Sequence, residues 1–414
     1  MDDIGRAYLL LALSLERHFE GFVDAYFGPP EFKAQAQAGE PRPLEALADD
    51  ARQLMAAVEA SGADDPQRRD FLWRQVRAMA AVVRNLPVLA HASGPGSGPQ
   101  LGFVEEVELY FDITPQMTDE AVFAAAHAEL DRLLPGEGVL LDRLVVWRRR
   151  LEMAPDRILP VFELARRETR RRTQALFDLP DGEELSLHLV KDQPWAAYNW
   201  YLGDYRSRID INTDLPVRAS SALPLMAHEA YAGHHTEHAI KEAVLYRAQG
   251  RAEHCIQLLL APECVLSEGL ANSALDLIWD KAGRAAFLRD QLYPAAGLPD
   301  VDVGLQIQIE QASKGLSSVG GNAALLLHRD GRPPDEVQRY IERWGLRTPK
   351  EAVQNMRFMQ NPLFRSYIFN YSMGEDLLAP LLAGPDAVAN FRRLLSEPLT
   401  PSQVRRWLAE PSAE

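Results

Sequence analysis

The amino-acid sequence predicts a mainly α-helical fold with a small β-sheet. Two observations lead to this prediction: apolar residues recur at helical spacing over most of the 414 residues, and one stretch alternates instead. The clearest amphipathic segments are residues 44–60, 69–86, 119–134, 139–153 and 156–177. Helical spacing returns at Pro224 and predicts helices within residues 239–290, 305–328, 334–344 and 366–382.

The alternating stretch, residues 196–213, predicts a β-hairpin. Gly203-Asp204 supplies the turn, and the second strand runs from Ser207 to Asn212. Ile209 and Ile211 share one face of that strand. We therefore expect a small antiparallel sheet close to the segment that contains His228.

Composition shifts indicate how the chain is organised. Residues 1–92 form an N-terminal helical segment, and residues 93–102 are a linker or loop rich in glycine, proline and serine. Residues 103–414 then form the region that carries the chemistry, including the hairpin. We expect the whole chain to make one compact unit.

Charge and cysteine content limit the function classes. There are 59 acidic residues against 44 basic ones, for a net charge of −15, which excludes nucleic acid as the main partner. Cys255 and Cys264 are the only cysteines, too few for a disulfide framework. The first residues are acidic where a signal peptide is basic, and no apolar run is long enough to cross a membrane. A cytoplasmic enzyme without a membrane partner is expected; the oligomeric state stays open.

The most informative segment is residues 228–238, His-Glu-Ala-Tyr-Ala-Gly-His-His-Thr-Glu-His. It holds four of the ten histidines of the chain and two glutamates. Imidazole and carboxylate are the ligands of catalytic zinc sites, and the opening His228-Glu229 pair matches the start of the His-Glu-x-x-His motif. The spacing differs, because Ala232 stands where that motif has its second histidine.

This spacing leaves several metal sites open. Six residues along a regular helix turn His234 to a different face from His228, so this pair can share an ion only if the helix opens at Ala232-Gly233. His235 is an alternative second ligand. His238 is another, because His234 and His238 are four residues apart and share a helix face without distortion. The remaining interpretation is a helix surface that is rich in histidine and binds no metal.

Glu268 is the candidate for the third ligand. It lies between apolar neighbours, among them Leu266 and Leu270, where an unpaired carboxylate would be poorly solvated. Glu263 and His254 are lesser candidates.

These residues resemble a bacterial "domain of unknown function" family whose hallmark is His-Glu-x-x-x-Gly-His-His. That family is regarded as zinc metallopeptidases of gluzincin type, distantly similar to Taq-like carboxypeptidases. Its relatives carry His-Glu-x-Gly-His, so aligning Gly-His with Gly233-His234 implies His234 as the second ligand. The resemblance also implies a helical body with a central channel or cleft.

Three further stretches are similar to the family more loosely: residues 23–30, 211–214 and 371–374. Two positions depart from its pattern. Ala232 replaces the usual proline, which bears on where the helix breaks, and Leu270 replaces the usual tryptophan after Glu-Gly.

The resemblance and the residues together predict a zinc-dependent peptidase acting on short peptides. One zinc ion per chain would be held by His228, His234 and Glu268, with Glu229 as general base. Tyr371 would stabilise the oxyanion, with Tyr367 as the next choice.

Substrate contacts are predicted at two places. A peptide would add to the strand that contains Ile209, Ile211 and Asn212, taken as an edge strand. Arg365 or Arg208 would hold a substrate carboxylate. Two other functions remain open: hydrolysis of a small non-peptide amide or ester, and a non-catalytic helical binding protein.

Overall fold

The computed structural model describes residues 1–61, 65–89 and 101–409, and the fold is mainly α-helical, as predicted. The predicted linker at residues 93–102 lies outside the described residues except for Leu101 and Gly102, which lead into a helix. The helices are α1 (Asp3–Glu16), α2 (Pro30–Gln37), α3 (Leu44–Ala60), α4 (Pro66–Leu89), α5 (Phe103–Phe111), α6 (Glu120–Leu133), α7 (Leu140–Arg149), α8 (Pro155–Gln174), α9 (Ala219–Glu229), α10 (His234–Lys241), α11 (Glu263–Ile278), α12 (Lys281–Phe287), α13 (Tyr293–Ala295), α14 (Val303–Lys314), α15 (Val319–Ala324), α16 (Pro334–Trp344), α17 (Pro349–Gln360), α18 (Phe369–Leu382), α19 (Ala387–Ser396) and α20 (Pro401–Ala409).

Shorter helical stretches and five strands complete the described chain. The π-helical stretches are Glu242–Ala248, Leu288–Leu292 and Leu325–Arg329, and Ala252–Cys255 is a 3-10 turn. The strands are β1 (Val23–Tyr26), β2 (Glu184–Val190), β3 (Ala197–Gly203), β4 (Arg206–Asn212) and β5 (Ile256–Leu258).

The predicted hairpin is present as β3 and β4, which pair antiparallel. The sheet differs from the expectation in one respect: β2 pairs parallel to β4, so the strand order is β2-β4-β3 and the sheet is mixed. β4 is thus the central strand and not an edge strand. β1 and β5 form a separate antiparallel pair, and β5 interrupts the stretch that was predicted to be entirely helical.

The buried apolar residues form two clusters. In the first, α1, α3, α4 and α5 of the N-terminal half pack with β5 and with α15–α17. In the second, α7–α9 and the three-stranded sheet pack with α11, α18 and α19. Helix α11 contributes to both, because Val265 belongs to the first cluster and Leu266 and Leu270 to the second. The candidate site lies where α11 passes between the two clusters.

Candidate metal centre

The motif helix is interrupted over residues 230–233, which include the Ala232-Gly233 position where an opening is needed if His228 and His234 are to share an ion. Helix α9 ends at Glu229 and α10 begins at His234; the Tyr231–Ala232 peptide between them is cis. A Cβ atom on Gly233 would lie 1.8 Å from the carbonyl oxygen of His228, so only glycine fits here. The break turns the two histidines toward each other, and their ring centroids lie 4.7 Å apart.

Glu268 on α11 joins these two histidines. One ligand atom from each of His228, His234 and Glu268 can be chosen so that all three lie within 4.8 Å of one another. Nε2 of His228 is 3.3 Å from Glu268 Oε2, and Nε2 of His234 is 3.7 Å from Glu268 Oε1. The structure therefore brings together the three residues that the sequence analysis proposed as ligands.

The chemistry of this cluster fits a divalent cation. Glu268 is only 4% exposed, and its Oε2 atom, 3.3 Å from Nε2 of His228, makes no hydrogen bond of good geometry with the described residues. A buried, unsatisfied carboxylate oxygen is costly, and a cation beside it would remove that cost. Two imidazoles and one carboxylate are also the protein ligands of several catalytic zinc sites.

Charges around the centre favour a cation as well. Burial disfavours the charged form of His234, but the carboxylates of Glu237, Glu268 and Glu229 outweigh it and raise the pKa of His234 to about 9. Burial alone would raise the pKa of Glu268, yet the two histidines and the Tyr367 hydroxyl bring it below its ordinary value. The surroundings thus stabilise positive charge at this position.

A chain of hydrogen bonds holds the ring of His234 through its Nδ1 atom. Its Nδ1 atom lies 3.0 Å from the Ser267 hydroxyl, which donates to Glu237 Oε2 at 2.5 Å. Lys241 donates to the other oxygen of Glu237 at 2.7 Å and to Glu263 at 2.6 Å. Glu263 is therefore held in an ion pair with Lys241 and is not part of the ligand cluster.

The alternative histidines lie elsewhere. His235 is fully buried and faces away, with Nδ1 2.8 Å from Ser207 Oγ and Nε2 2.9 Å from Glu183 Oε2. The His238 ring is stacked on His234 at 6.0 Å, and burial lowers the pKa of His238 to about 3. His254 packs against Phe71. None of these histidines belongs to the ligand cluster found among the described residues.

Glu229, the candidate base, lies in the same cavity as the ligand cluster. It is 7% exposed, and its backbone carbonyl accepts a hydrogen bond of 2.6 Å from Asn199 Nδ2 on β3. Burial raises its pKa above the usual value, although His228 and His234 oppose this effect. A raised pKa suits a carboxylate that must take up a proton near neutral pH.

Two tyrosines, one just before α18 and one on it, reach the centre because α11 and α18 touch backbone to backbone. A Cβ atom on Gly269 would lie 2.5 Å from the carbonyl oxygen of Gly374. Tyr367 donates to Glu268 Oε1 at 2.7 Å, so it orients this ligand and is not free to contact a substrate. Tyr371 lines the cavity, with its ring stacked on His228 at 6.5 Å. Burial and nearby carboxylates raise the pKa of Tyr371 well above its usual value, so its hydroxyl keeps its proton.

The predicted substrate contacts are not at the centre. Ile209 and Ile211 are buried in the second core cluster, and both edges of β4 are already paired, so no peptide can add there. Asn212 Nδ2 bonds to the carbonyl groups of Gln193 and Trp195. Arg365 forms a buried ion pair with Glu106. These four assignments were wrong. The three on β4 assumed an edge strand, but β4 is central. The assignment of Arg365 overlooked its partner Glu106, which is distant in the sequence.

The cavity also contains residues that the sequence analysis did not single out. Its volume is about 110 Å3, enough for several water molecules or a small substrate. Ala197, Tyr198 and Asn199 of the edge strand β3 line it, as does Asp24 of β1. Burial raises the pKa of Asp24 to about 6, against the effect of the hydrogen bond from Tyr198. Among these residues and Ser267, only Ser267 could have been found from the sequence. It directly precedes the proposed ligand Glu268, and a hydroxyl at that position is a suitable hydrogen-bond partner for a second ligand such as His234.

Comparison with known proteins gives the fold alone. No protein-family model and no curated protein match the chain. The fold is similar to that of a candidate lipoprotein from Colwellia psychrerythraea, with a TM-score of 0.54 and 14% identity over 88% of this chain and 66% of that chain. A candidate lipoprotein of unknown function from Shewanella oneidensis aligns with a TM-score of 0.46 and 12% identity over 92% of this chain and 76% of that chain. The chain thus spans about two thirds of the length of the first structure.

Among the described residues, no helix combines the length and the apolar character that a membrane span requires.

Proposed function

We propose that this protein is a zinc-dependent peptidase that hydrolyses short peptides. One observation carries the proposal: His228, His234 and Glu268 converge within 4.8 Å, and the buried Glu229 lines the same cavity. The combination of three ligands with a carboxylate that is free to move a proton is typical of metal-assisted hydrolysis. The resemblance of the motif to gluzincin-type peptidases supports the same reaction.

The protein's own residues have distinct roles in this proposal. His228, His234 and Glu268 would hold the ion, which when bound supplies Lewis acidity toward water and a carbonyl oxygen. Glu229 would accept a proton from the attacking water at its carboxylate and deliver it to the nitrogen of the leaving amine. The Tyr371 hydroxyl would donate a hydrogen bond to the oxygen that gains negative charge.

Other residues prepare the site and limit the substrate. Ser267 and Tyr367 fix the orientations of His234 and Glu268 through hydrogen bonds of 3.0 and 2.7 Å. β3, rather than β4, is the edge strand beside the cavity, so its main chain is the place for an extended peptide to bind. A cavity of about 110 Å3 favours short substrates over folded proteins.

We also propose a cytoplasmic location. Cys255 and Cys264 are both free thiols, as expected in a reducing compartment. The description of the Colwellia structure as a candidate lipoprotein raises an extracytoplasmic location as the alternative. Fractionation of cells that express the full chain distinguishes the two.

The experiment that tests the function combines metal content with hydrolysis. Purified protein is analysed for zinc and then incubated with a mixed pool of short peptides, before and after treatment with a chelator. We expect one zinc per chain, peptide cleavage, loss of cleavage with the chelator and recovery with added zinc. Cleavage of non-peptide amides or esters alone would favour the alternative hydrolase, and absence of both zinc and hydrolysis would favour a binding protein.

A further inference from the structure

The cavity has further polar groups outside the ligand cluster, where β1 packs against β3. Asp24 of β1 accepts a hydrogen bond from the Tyr198 hydroxyl of β3, a contact between residues 174 positions apart in the sequence. Both residues line the cavity. Within the part of the chain that the structure describes, no lysine or arginine forms an ion pair with Asp24. Its carboxylate is thus oriented by a neutral partner and remains available to a cationic ligand.

Asn199, which also lines the cavity, carries an unpaired acceptor. Asn199 is 7% exposed, and its Nδ2 donates to the Glu229 carbonyl, which fixes the orientation of the amide. The remaining atom, Oδ1, has no hydrogen-bond partner among the described residues. Buried acceptors of this kind are rarely left unpaired, so a donor is expected from a water molecule or a ligand.

The charge of the cavity favours a positively charged ligand. Five carboxylates line it, from Asp24, Glu229, Glu237, Glu263 and Glu268, against a single lysine. Lys241 is already paired with two of these carboxylates. A divalent ion at the ligand cluster would still leave the cavity negative, which repels a substrate carboxylate and attracts an ammonium group.

Two aromatic side chains also line the cavity. The rings of Trp195 and Tyr198 lie 5.3 Å apart and both line the cavity beside Asp24. The faces of aromatic rings attract cations, with an effect that grows when water is excluded. A carboxylate, an unpaired amide oxygen and two aromatic rings are together suited to a primary ammonium group.

From this arrangement we infer that Asp24, Asn199 and the Trp195–Tyr198 rings bind the free α-ammonium group of the substrate. The protein would then act on peptides with a free amino terminus and cleave close to it. This inference rests on the proposed function for the reaction, but the ammonium contact itself needs no metal.

Binding of three small probes tests the inference. Isothermal titration calorimetry with L-leucinamide, N-acetyl-L-leucinamide and N-acetyl-L-lysinamide is performed on zinc-loaded and on metal-free protein. We expect L-leucinamide to bind at least tenfold more tightly than its acetylated form in both preparations. The lysine probe, whose ammonium group sits on the side chain, is expected to bind as weakly as N-acetyl-L-leucinamide.

Variants identify the residues that are responsible. Asp24→Asn keeps an acceptor for Tyr198 but removes the charge, and it should abolish the preference for L-leucinamide. Asp300→Asn, at an exposed position, is the matched control and should keep it. In hydrolysis, Asp24→Asn should raise KM for peptides with a free amino terminus while acetylated peptides stay equally poor substrates.

The outcomes separate this inference from the proposed function. Equal binding of L-leucinamide and its acetylated form to the wild-type protein, or no binding of either, overturns the inference even when zinc and hydrolysis are found. Tight binding of the lysine probe overturns the assignment to an α-amino group. Selective L-leucinamide binding by a protein without zinc or hydrolysis would support the ammonium site while the proposed peptidase activity fails.

Discussion

The Nδ1 atom of His234 lies 3.0 Å from the hydroxyl oxygen of Ser267, and that hydroxyl donates its only proton to Glu237. The hydrogen between His234 and Ser267 must therefore belong to the imidazole. When the His234 ring is neutral, this contact fixes the tautomer that carries its proton on Nδ1. The lone pair of Nε2 then faces Glu268. Partners that orient a metal-binding histidine in this way commonly contribute strongly to metal affinity.

Removing the Ser267 hydroxyl should weaken zinc binding without removing a ligand. For Ser267→Ala we expect an affinity about 10- to 100-fold lower, the usual effect of losing such a partner. Competition with a chromophoric chelator measures it. Ser273→Ala is the control, because the Ser273 hydroxyl on the same helix bonds, among the residues that the structure describes, only to the Gly269 carbonyl. An unchanged affinity in Ser267→Ala would show that this contact does not support a metal ligand.

The break between α9 and α10 should depend on Gly233. A methyl group there would lie 1.8 Å from the His228 carbonyl oxygen, so Gly233→Ala must displace the backbone that carries both histidines. We expect loss of stoichiometric zinc and a loss of stability of about 2 kcal/mol or more. Gly102→Ala is the control, since its added Cβ meets none of the described residues within 4 Å. Chemical denaturation and zinc analysis of both variants provide the comparison, and a Gly233→Ala protein that binds zinc normally would refute the importance of the break.

Substitution of His228 distinguishes the two histidine pairs. His228→Ala removes one of three ligands and should leave less than a tenth of the bound zinc after dialysis against a mild chelator. His238→Gln, which changes a histidine outside the cluster, should retain it. The reverse pattern, with zinc kept by His228→Ala and lost by His238→Gln, would instead place the ion between His234 and His238.

Glu229 should be needed for hydrolysis but not for zinc. In Glu229→Gln we expect zinc content equal to wild type and kcat lower by at least about 100-fold, the usual contribution of a positioned general base. Steady-state kinetics on one cleaved peptide, together with elemental analysis, measures both quantities. Wild-type turnover in this variant would exclude Glu229 as the base.

Asp24 should make the protein's stability depend on pH. Its pKa is about 6 in the folded chain and near 3.8 in the unfolded chain, so the folded state takes up a proton between these values. Ionised Asp24 therefore destabilises the fold, and this penalty grows as the pH rises from about 4 through 6. We expect Asp24→Asn in chelator-treated protein to be more stable than wild type by about 3 kcal/mol at pH 8, since the folded and unfolded pKa values differ by about 2 and one pKa unit is worth about 1.4 kcal/mol.

The pH series also contains its own control. The advantage of Asp24→Asn should shrink markedly at pH 4.5, where the wild-type side chain is mostly protonated in the folded state. Thermal unfolding of both proteins across this range measures the difference. A constant difference at all pH values would mean that the pKa of Asp24 is not raised by folding.

Local sequence patterns predicted much of the helical architecture and the hairpin. The helix break was predictable as well, because a regular helix cannot present His228 and His234 to one ion. The sequence analysis missed β2 even though Leu185, Leu187 and Leu189 alternate there, and with it the central position of β4. Whether a strand is central or at an edge depends on pairing with a distant segment, which no local pattern records.

The same reason explains which site residues could be found. Glu268 was predictable, since a carboxylate among apolar neighbours needs a partner. Asp24 lies in the stretch 23–30 that resembles the family, but its role was not predictable, because its partner Tyr198 is 174 residues away. Arg365 shows the opposite error: an arginine near the candidate tyrosines was assigned to substrate, but its partner is Glu106, 259 residues away.

Anomalous X-ray diffraction on crystals grown with zinc, recorded on both sides of the zinc absorption edge, examines the site itself. A single strong peak per chain is predicted, within about 2.0–2.2 Å of Nε2 of His228, Nε2 of His234 and a carboxylate oxygen of Glu268. A zinc peak at any other histidine, or none at this position in crystals soaked to saturation, would contradict the central claim that these three side chains form a metal centre.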